Sequence, residues 1–233
     1  MTKYMRMSIF FGVCLLGIGY IYRLIFFARA VHVVCDDMID QVYCAALQEQ
    51  LTVSMVNYPK TCAASIHAQY PFVDAITFSF LSDYTALVEI CARRPILQIN
   101  TTHIVMENYD IISADVYKIQ YKAMLPRMQV TDVGALTASI AKKMCSCVDH
   151  VDDAILEQYD LQWHDETDVW LIKKTDTSVA FRIHADFVCT QQELAQGQQV
   201  LQLVREEREK TKKKKALWVA DMRFEKQIVA YTR

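Results

Sequence analysis

Glycine and proline are scarce. The 233 residues include five Gly and four Pro, which excludes collagen-like and linker-rich architectures. Neither sign of charge dominates: 25 Lys and Arg stand against 27 Asp and Glu, for a formal net charge of −2. No global field therefore draws the chain to nucleic acid. Catalytic signatures are lacking too. The six histidines, His32, His67, His103, His150, His164 and His184, are scattered and form no H-E-x-x-H, and neither G-x-S-x-G nor a P-loop occurs. A non-enzymatic protein is expected, with no cofactor, no metal and no small-molecule substrate. The plentiful component is apolar: hydrophobic residues make up 53% of the chain, enough for a core rather than disorder.

Cysteine is less decisive. Cys14, Cys35, Cys44, Cys62, Cys91, Cys145, Cys147 and Cys189 are irregularly spaced in a chain too long for a small disulfide scaffold. Most read as small buried apolar residues. One or two disulfides are compatible with an oxidising compartment.

Met7 to Tyr22 contains no charged residue, and the apolar run resumes after Arg23 through Ala28. Its length corresponds to roughly 33 Å of helix, enough to cross a bilayer core. A transmembrane helix within residues 1–29 is expected, with a short cytoplasmic tail and the rest outside. A cleavable signal peptide is the competing reading: Lys3 and Arg6 supply the basic start, and Ala28-Arg-Ala30 resembles a cleavage site.

Beyond the anchor, Ala30 to Val34 reads as a strand, and Asp36 or Asp37 as the cap of a helix to about Gln48. Tyr58-Pro-Lys-Thr61 opens a second helix. Ile76, Phe78 and Phe80 alternate with Thr77 and Ser79, the period of a strand, and Thr85 to Ala92 is the next. Pro95 restricts its segment to an edge or a loop. Then come short strands at His103–Met106 and Ile111–Ile112 and a helical spacing over Val133, Leu136, Ile140 and Met144. Strands occur next at about 159–163, 168–173 and 178–184, the last two joined by a turn at Lys174–Thr177. Thr190-Gln-Gln-Glu193 is a capping box before the apolar stripe Leu194, Val200, Leu201 and Val204. Trp218–Phe224 and Gln227–Arg233 close the order. The expected fold class is α+β: an N-terminal transmembrane helix, a β-α-β-β module at 30–97, and a mixed β-rich domain with helices at 98–233.

Three clusters invite chemical readings. Cys145-Ser-Cys147 with His150 resembles half a zinc site. The second ligand pair is missing, with only Asp149, Asp152 and Asp153 near, so helix-end packing is expected. Trp163-His-Asp-Glu166 reads as a strand ending in a polar turn. Arg205 to Lys215 mixes signs and then turns basic, without interleaved aromatics; a solvated helix end and loop is expected.

Several short motifs stand in a recognisable order. They are Tyr70-Pro-Phe-Val73, Ala92-Arg-Arg-Pro-Ile96, Met106-Glu-Asn-Tyr-Asp110 and Val219-Ala-Asp-Met-Arg-Phe224 with Gln227-Ile-Val-Ala230 after it. Together they resemble the FtsQ/DivIB family of bacterial cell-division proteins. Two positions depart from it: Asn108-Tyr109-Asp110 stands where the family has a hairpin glycine, and Leu81-Ser-Asp-Tyr84 where it has Trp-Pro. The resemblance implies a POTRA domain beside the inner membrane and a β-domain beyond it. It also implies a divisome scaffold at the septum that binds FtsB/FtsL-type partners and helps control septal peptidoglycan synthesis. Two other classes fit less well: a POTRA-bearing protein of outer-membrane assembly or secretion, and a cleaved, secreted binding protein. Under the FtsQ reading the partner-binding residues are Val219, Arg223, Phe224, Gln227, Ile228, Val229, Ala230, Tyr231 and Thr232, with Tyr231 as an aromatic anchor. The strand formers from Gln227 onward offer an edge to which a partner can add a strand.

Overall fold

The computed structural model describes residues 28–81, 84–209, 217–224 and 227–232. They form two compact units, the first ending at Arg93 and the second starting at Arg94.

In the first unit, strand β1 (Ala30–Cys35) leads to helices α1 (Gln41–Gln50), α2 (Val53–Val56) and α3 (Pro59–Gln69), then to strands β2 (Val73–Phe80) and β3 (Thr85–Ala92). The sheet order is β1-β3-β2, with β1 parallel and β2 antiparallel to β3. The period-2 pattern sets the faces of β3: Ala86, Val88, Ile90 and Ala92 are buried while Glu89 and Cys91 are exposed. Leu47, Val56, Cys62 and Ile66 of the helices are also buried. The cap of α1 is Asp40, whose side chain accepts from Val42 N at 3.0 Å, rather than Asp36 or Asp37. Asp36 closes the preceding turn onto Met38 N and reaches Ala92 N. Pro59 begins α3, where its missing N–H costs nothing. A disulfide joins Cys35 of β1 to Cys44 of α1 across a Cα–Cα distance of 5.9 Å.

The second unit is a mixed nine-stranded sheet in the order β12-β11-β10-β9-β8-β7-β4-β5-β6. Its strands are β4 (Pro95–Ile99), β5 (His103–Met106), β6 (Ile111–Ser113), β7 (Arg127–Val130), β8 (Tyr159–Asp165), β9 (Asp168–Lys173), β10 (Val179–Ile183), β11 (Trp218–Phe224) and β12 (Gln227–Thr232). Short helix α4 (Ile119–Ala123) precedes β7. Helices α5 (Ala138–Asp149) and α6 (Asp153–Gln158) connect β7 to the parallel β8, and α7 (Gln191–Glu209) connects β10 to the parallel β11. Met144 and Val148 of α5, Ile155 of α6 and Leu194 and Leu201 of α7 share one core with Met128, Leu161, Phe181 and Ala220 of the sheet. The capping box of α7 forms reciprocally: Glu193 N donates to Thr190 Oγ1 at 3.3 Å and Thr190 N to Glu193 Oε2 at 3.0 Å. The helical spacing from Val133 is realised later than expected. Thr137 caps α5, and Val133 and Leu136 belong to the 3-10 turn and lead-in before it.

The fold class read from the sequence is corrected. It required a transmembrane helix, yet among the described residues no helix is long and apolar enough to cross a membrane. The longest, α7, has 19 residues but carries Glu193, Arg205 and Glu206. The run assigned to the span, residues 7–28, lies outside the described residues except for Ala28. Between β1 and β2 the two helices expected from the sequence are joined by a third, the one-turn α2. Leu51 leaves helical geometry at ψ 90° and Thr52 is extended, so the chain restarts a helix twice before Tyr70. Pro95 does not confine its segment to an edge: β4 lies between β7 and β5. Proline is tolerated there as the first residue of the strand, beside a bulge between Pro95 and Leu97. The boundary expected at 97/98 thus falls inside β4.

Candidate partner-binding edge

Strands β11 and β12 gather the residues that the sequence nominated. β12 pairs antiparallel with β11 and, among the described residues, with no other strand. Its alternation is the expected one. Ile228 and Ala230 pack against the helix-covered core, while Tyr231, opposite Val219, packs against Trp170, Ala180 and Val219 on the other face. Val229, at 44% exposure, and Phe224, at 51%, remain open, as does Gln227 opposite Phe224. Thr232 pairs with Trp218.

The face of the sheet away from the helices carries a ladder absent from the sequence reading. Gln162, Trp170, Arg182, Asp221 and Val229 stand directly opposite one another across β8 to β12. Asp168 accepts a hydrogen bond from Trp170 Nε1 at 2.7 Å and an ion pair from Arg182 Nε. Arg182 lies 5.8 Å from the Trp170 ring centroid and, through Nη1, 3.7 Å from Asp221. Arg223 grips Asp221 with Nε at 2.9 Å and Nη2 at 2.8 Å, and donates from Nη1 to the Thr167 carbonyl at 3.1 Å. Burial would raise the Asp168 pKa, but hydrogen bonds from Arg182 and Trp170 and the Arg182 charge bring it below its ordinary value. Burial likewise opposes ionisation of Asp221, and hydrogen bonds from the Arg223 side chain and backbone outweigh it, so its pKa is lowered. The hydrogen bond to Asp168 is the main cause that holds Arg182 above its usual value, with Tyr231 adding to it.

The nominated residues therefore divide by role. Phe224, Gln227 and Val229 are available at the edge. Val219 is fully buried, Arg223 is committed to Asp221 and Thr167, and Tyr231 helps hold the sheet. Sequence reading missed Asp168, Arg182 and Asp221 because strand register alone brings them together.

Of the other clusters, the cysteine group lies in the core, whereas Trp163–Glu166 adjoins the ladder, with His164 edge-on to Trp170 at 6.0 Å between ring centroids and Asp165 opposite Asp168. Cys145 and Cys147 are buried in the core, and His150 caps α5 with Nδ1 3.5 Å from the Ala185 carbonyl. Burial first, then Asp149, pushes the Cys145 thiol up to about 12. Burial, then Asp186, does the same for Cys147. Among the described residues no group of three or more His, Cys, Asp and Glu is placed to hold a metal ion. Trp163 faces the core, Asp165 receives the Thr167 hydroxyl and N–H at a turn, and Glu166 pairs with Lys143. Residues 210–216 of the basic run lie outside the described residues. No protein-family model matches the sequence, and no curated protein matches it.

Proposed function

We propose that the chain is a non-enzymatic scaffold of bacterial cell division, of FtsQ/DivIB type. In this reading it works at the inner membrane near the septum with both units outside the cytoplasm. β12 receives an added strand from an FtsB/FtsL-type partner and so bears on septal peptidoglycan synthesis. The observation that carries the reading is the edge of β12, which pairs with no second strand among the described residues and is flanked by exposed Val229 and Phe224. An open strand edge is a template for main-chain pairing, with alternate side chains supplying specificity. Two further observations favour it. The Cys35–Cys44 disulfide suits an oxidising compartment. Tyr109 adopts φ 65° in the β5–β6 hairpin, a conformation natural to glycine, at the turn where the resembled motif has glycine.

Co-purification with the FtsB- and FtsL-type proteins of the same organism tests the reading. Val229→Gln and Phe224→Ser alter exposed side chains without adding charge opposite Asp221, and both variants are expected to lose capture while folding normally. Undiminished capture by the double variant, or a fluorescent fusion that never gathers at midcell, would sink it.

A further inference from the structure

A cleft of about 940 Å³ opens in the second unit between the C-terminal end of α5, helix α6, the start of β8 and the connection from α4 to β7. It is separate from the β12 edge, for β8 stands four places from β12 in the sheet order. Its floor is apolar, formed by buried Val148, Val151 and Tyr159. One lip is apolar as well. Leu125, Pro126 and Leu156 are half-buried, and Met124 is 74% exposed. Ile119, 80% exposed, stands on the helix leading to that lip.

The rim is acidic. Asp149, Asp153, Glu157 and Asp160 line the cleft, against the cations Arg127 and Lys174. The Lys174 ammonium is turned instead to the carbonyl oxygens of Leu156 and Glu157, at 2.9 and 3.1 Å. The four rim carboxylates form no ion pair and accept no hydrogen bond among the described residues. They are also not gathered for a single ion, since no group of three or more metal-ligating side chains occurs among those residues. Like charges spread along a groove repel one another until positive charge arrives along its length. Exposed methionine beside them supplies an adaptable apolar contact.

We propose that this cleft docks a partner protein through a basic peptide segment that also carries large aliphatic side chains. Its lysines or arginines meet Asp149, Asp153, Glu157 and Asp160, and its aliphatic side chains cover Met124 and Leu156. Charge complementarity sets the encounter and register, and the apolar lip sets the depth.

The test uses the full chain in a neutral detergent and a fluorescein-labelled decapeptide in which lysine alternates with leucine. Fluorescence anisotropy is expected to show saturable binding that weakens with added salt. No binding is expected for the peptide with glutamate in place of lysine. Combining Asp149→Asn, Asp153→Asn, Glu157→Gln and Asp160→Asn should weaken binding at least tenfold, with near-ultraviolet circular dichroism reporting the fold. Met124→Ser, a change at an exposed side chain, should weaken it several-fold, and the Met124 methyl resonance should shift on titration in the unsubstituted chain. Equal affinity in the carboxamide variant, or binding without a Met124 shift, overturns the proposal. So does saturable magnesium binding without peptide binding, which marks a simple cation site. Self-association abolished by the carboxamide changes, again without peptide binding, assigns the cleft to a second copy and overturns it too.

Discussion

Asp221→Asn probes the ladder at its most buried charge. The Asp221 side chain is 5% exposed and lies between two guanidinium groups. The substitution keeps the shape but removes the charge, and it turns an amide N–H₂ toward Arg223 or Arg182, which have only donors to offer. Hydrogen bonds to charged groups contribute about 1.5–3 kcal/mol, and stripping one partner from a buried ion pair costs about 3–5 kcal/mol. Arg182 and Arg223 keep 24% and 18% side-chain exposure, so water retains part of the contact. The expected loss is therefore about 2–3 kcal/mol. Trp163, Trp170 and Trp218 all belong to the second unit, so tryptophan fluorescence in a urea titration tracks that unit alone. In an Arg223→Met background the same substitution should cost less, about 1 kcal/mol, because only the longer 3.7 Å contact with Arg182 remains to be lost. The acid limb supplies a second readout. Asp168 and Asp221 both titrate lower in the folded chain. Their stabilisation is full above the unfolded value near pH ~4 and disappears as pH falls through the lower folded values. Asp221→Asn should flatten that fall. A loss under about 0.5 kcal/mol, or an equal loss in both backgrounds, would refute the reasoning.

Gly197→Ala should destabilise the second unit by about 1 kcal/mol in the same titration. The new Cβ would sit 2.9 Å from the fully buried Phe181 ring and 3.2 Å from Met222 Sδ, and overpacking of about 1–3 kcal/mol exceeds the helix-propensity gain of up to about 1 kcal/mol. Replacing both Cys35 and Cys44 by Ser removes a link between residues nine apart and should cost the first unit about 2–3 kcal/mol. Amide exchange in β1 reads this loss, since the first unit holds no tryptophan. In a Cys14→Ser chain at pH 8, exposed Cys91 should react with a thiol reagent. Cys145, Cys147 and Cys189, each pushed up to about 12 chiefly by burial, should not react until the chain unfolds; fast native labelling of these three contradicts their placement.

Local signals carried most of the element boundaries. The alternation over Ile76–Phe80, the turn at Lys174–Thr177 and the Thr190–Glu193 box are each set by residues a few positions apart and need no knowledge of the rest of the chain. β7 was invisible because Arg127-Met-Gln-Val130 is short, and its single buried residue, Met128, gives no period to recognise. β4 was misplaced because Pro95 argues against an interior strand, while the actual register puts it at the strand's first position. The disulfide could not be chosen from the sequence, since pairing depends on Cα proximity set by the β1–α1 turn. The ladder was illegible for the same reason: its charges come from separate strands, and only the register of the sheet makes them neighbours. The acids of the cleft lie close in sequence, from Asp149 to Asp160, and what the sequence did not show is the α4–β7 connection that forms the opposing lip. The edge itself was legible, because Gln227–Thr232 is rich in strand formers. The roles within it were not, since Arg223 and Tyr231 look free in sequence and are held by Asp221 and by the Trp170 cluster in the fold.

One-sided helix cover explains why this edge can stay ordered while, among the described residues, no second strand pairs with it. The core helices pack against the same face of the sheet, so the charges on the opposite face of β8 to β11 are satisfied within the sheet, by one another and by the Arg223 N–H and the Thr167 carbonyl. β12 is held from both sides: Ile228 and Ala230 reach the helix-covered core, and Tyr231 reaches Trp170, Ala180 and Val219. The part left open is the backbone edge with Gln227 and Val229 beside it. A strand already fixed in extended geometry loses little conformational freedom when another strand pairs with it, so more of the hydrogen-bonding energy remains for binding. Within Gln227–Thr232, β12 contains no charged residue and no proline, two of the usual protections of an edge. Under the proposed reading such an edge is the place for an added strand, with side chains such as Val229 and Phe224 setting whose strand it is.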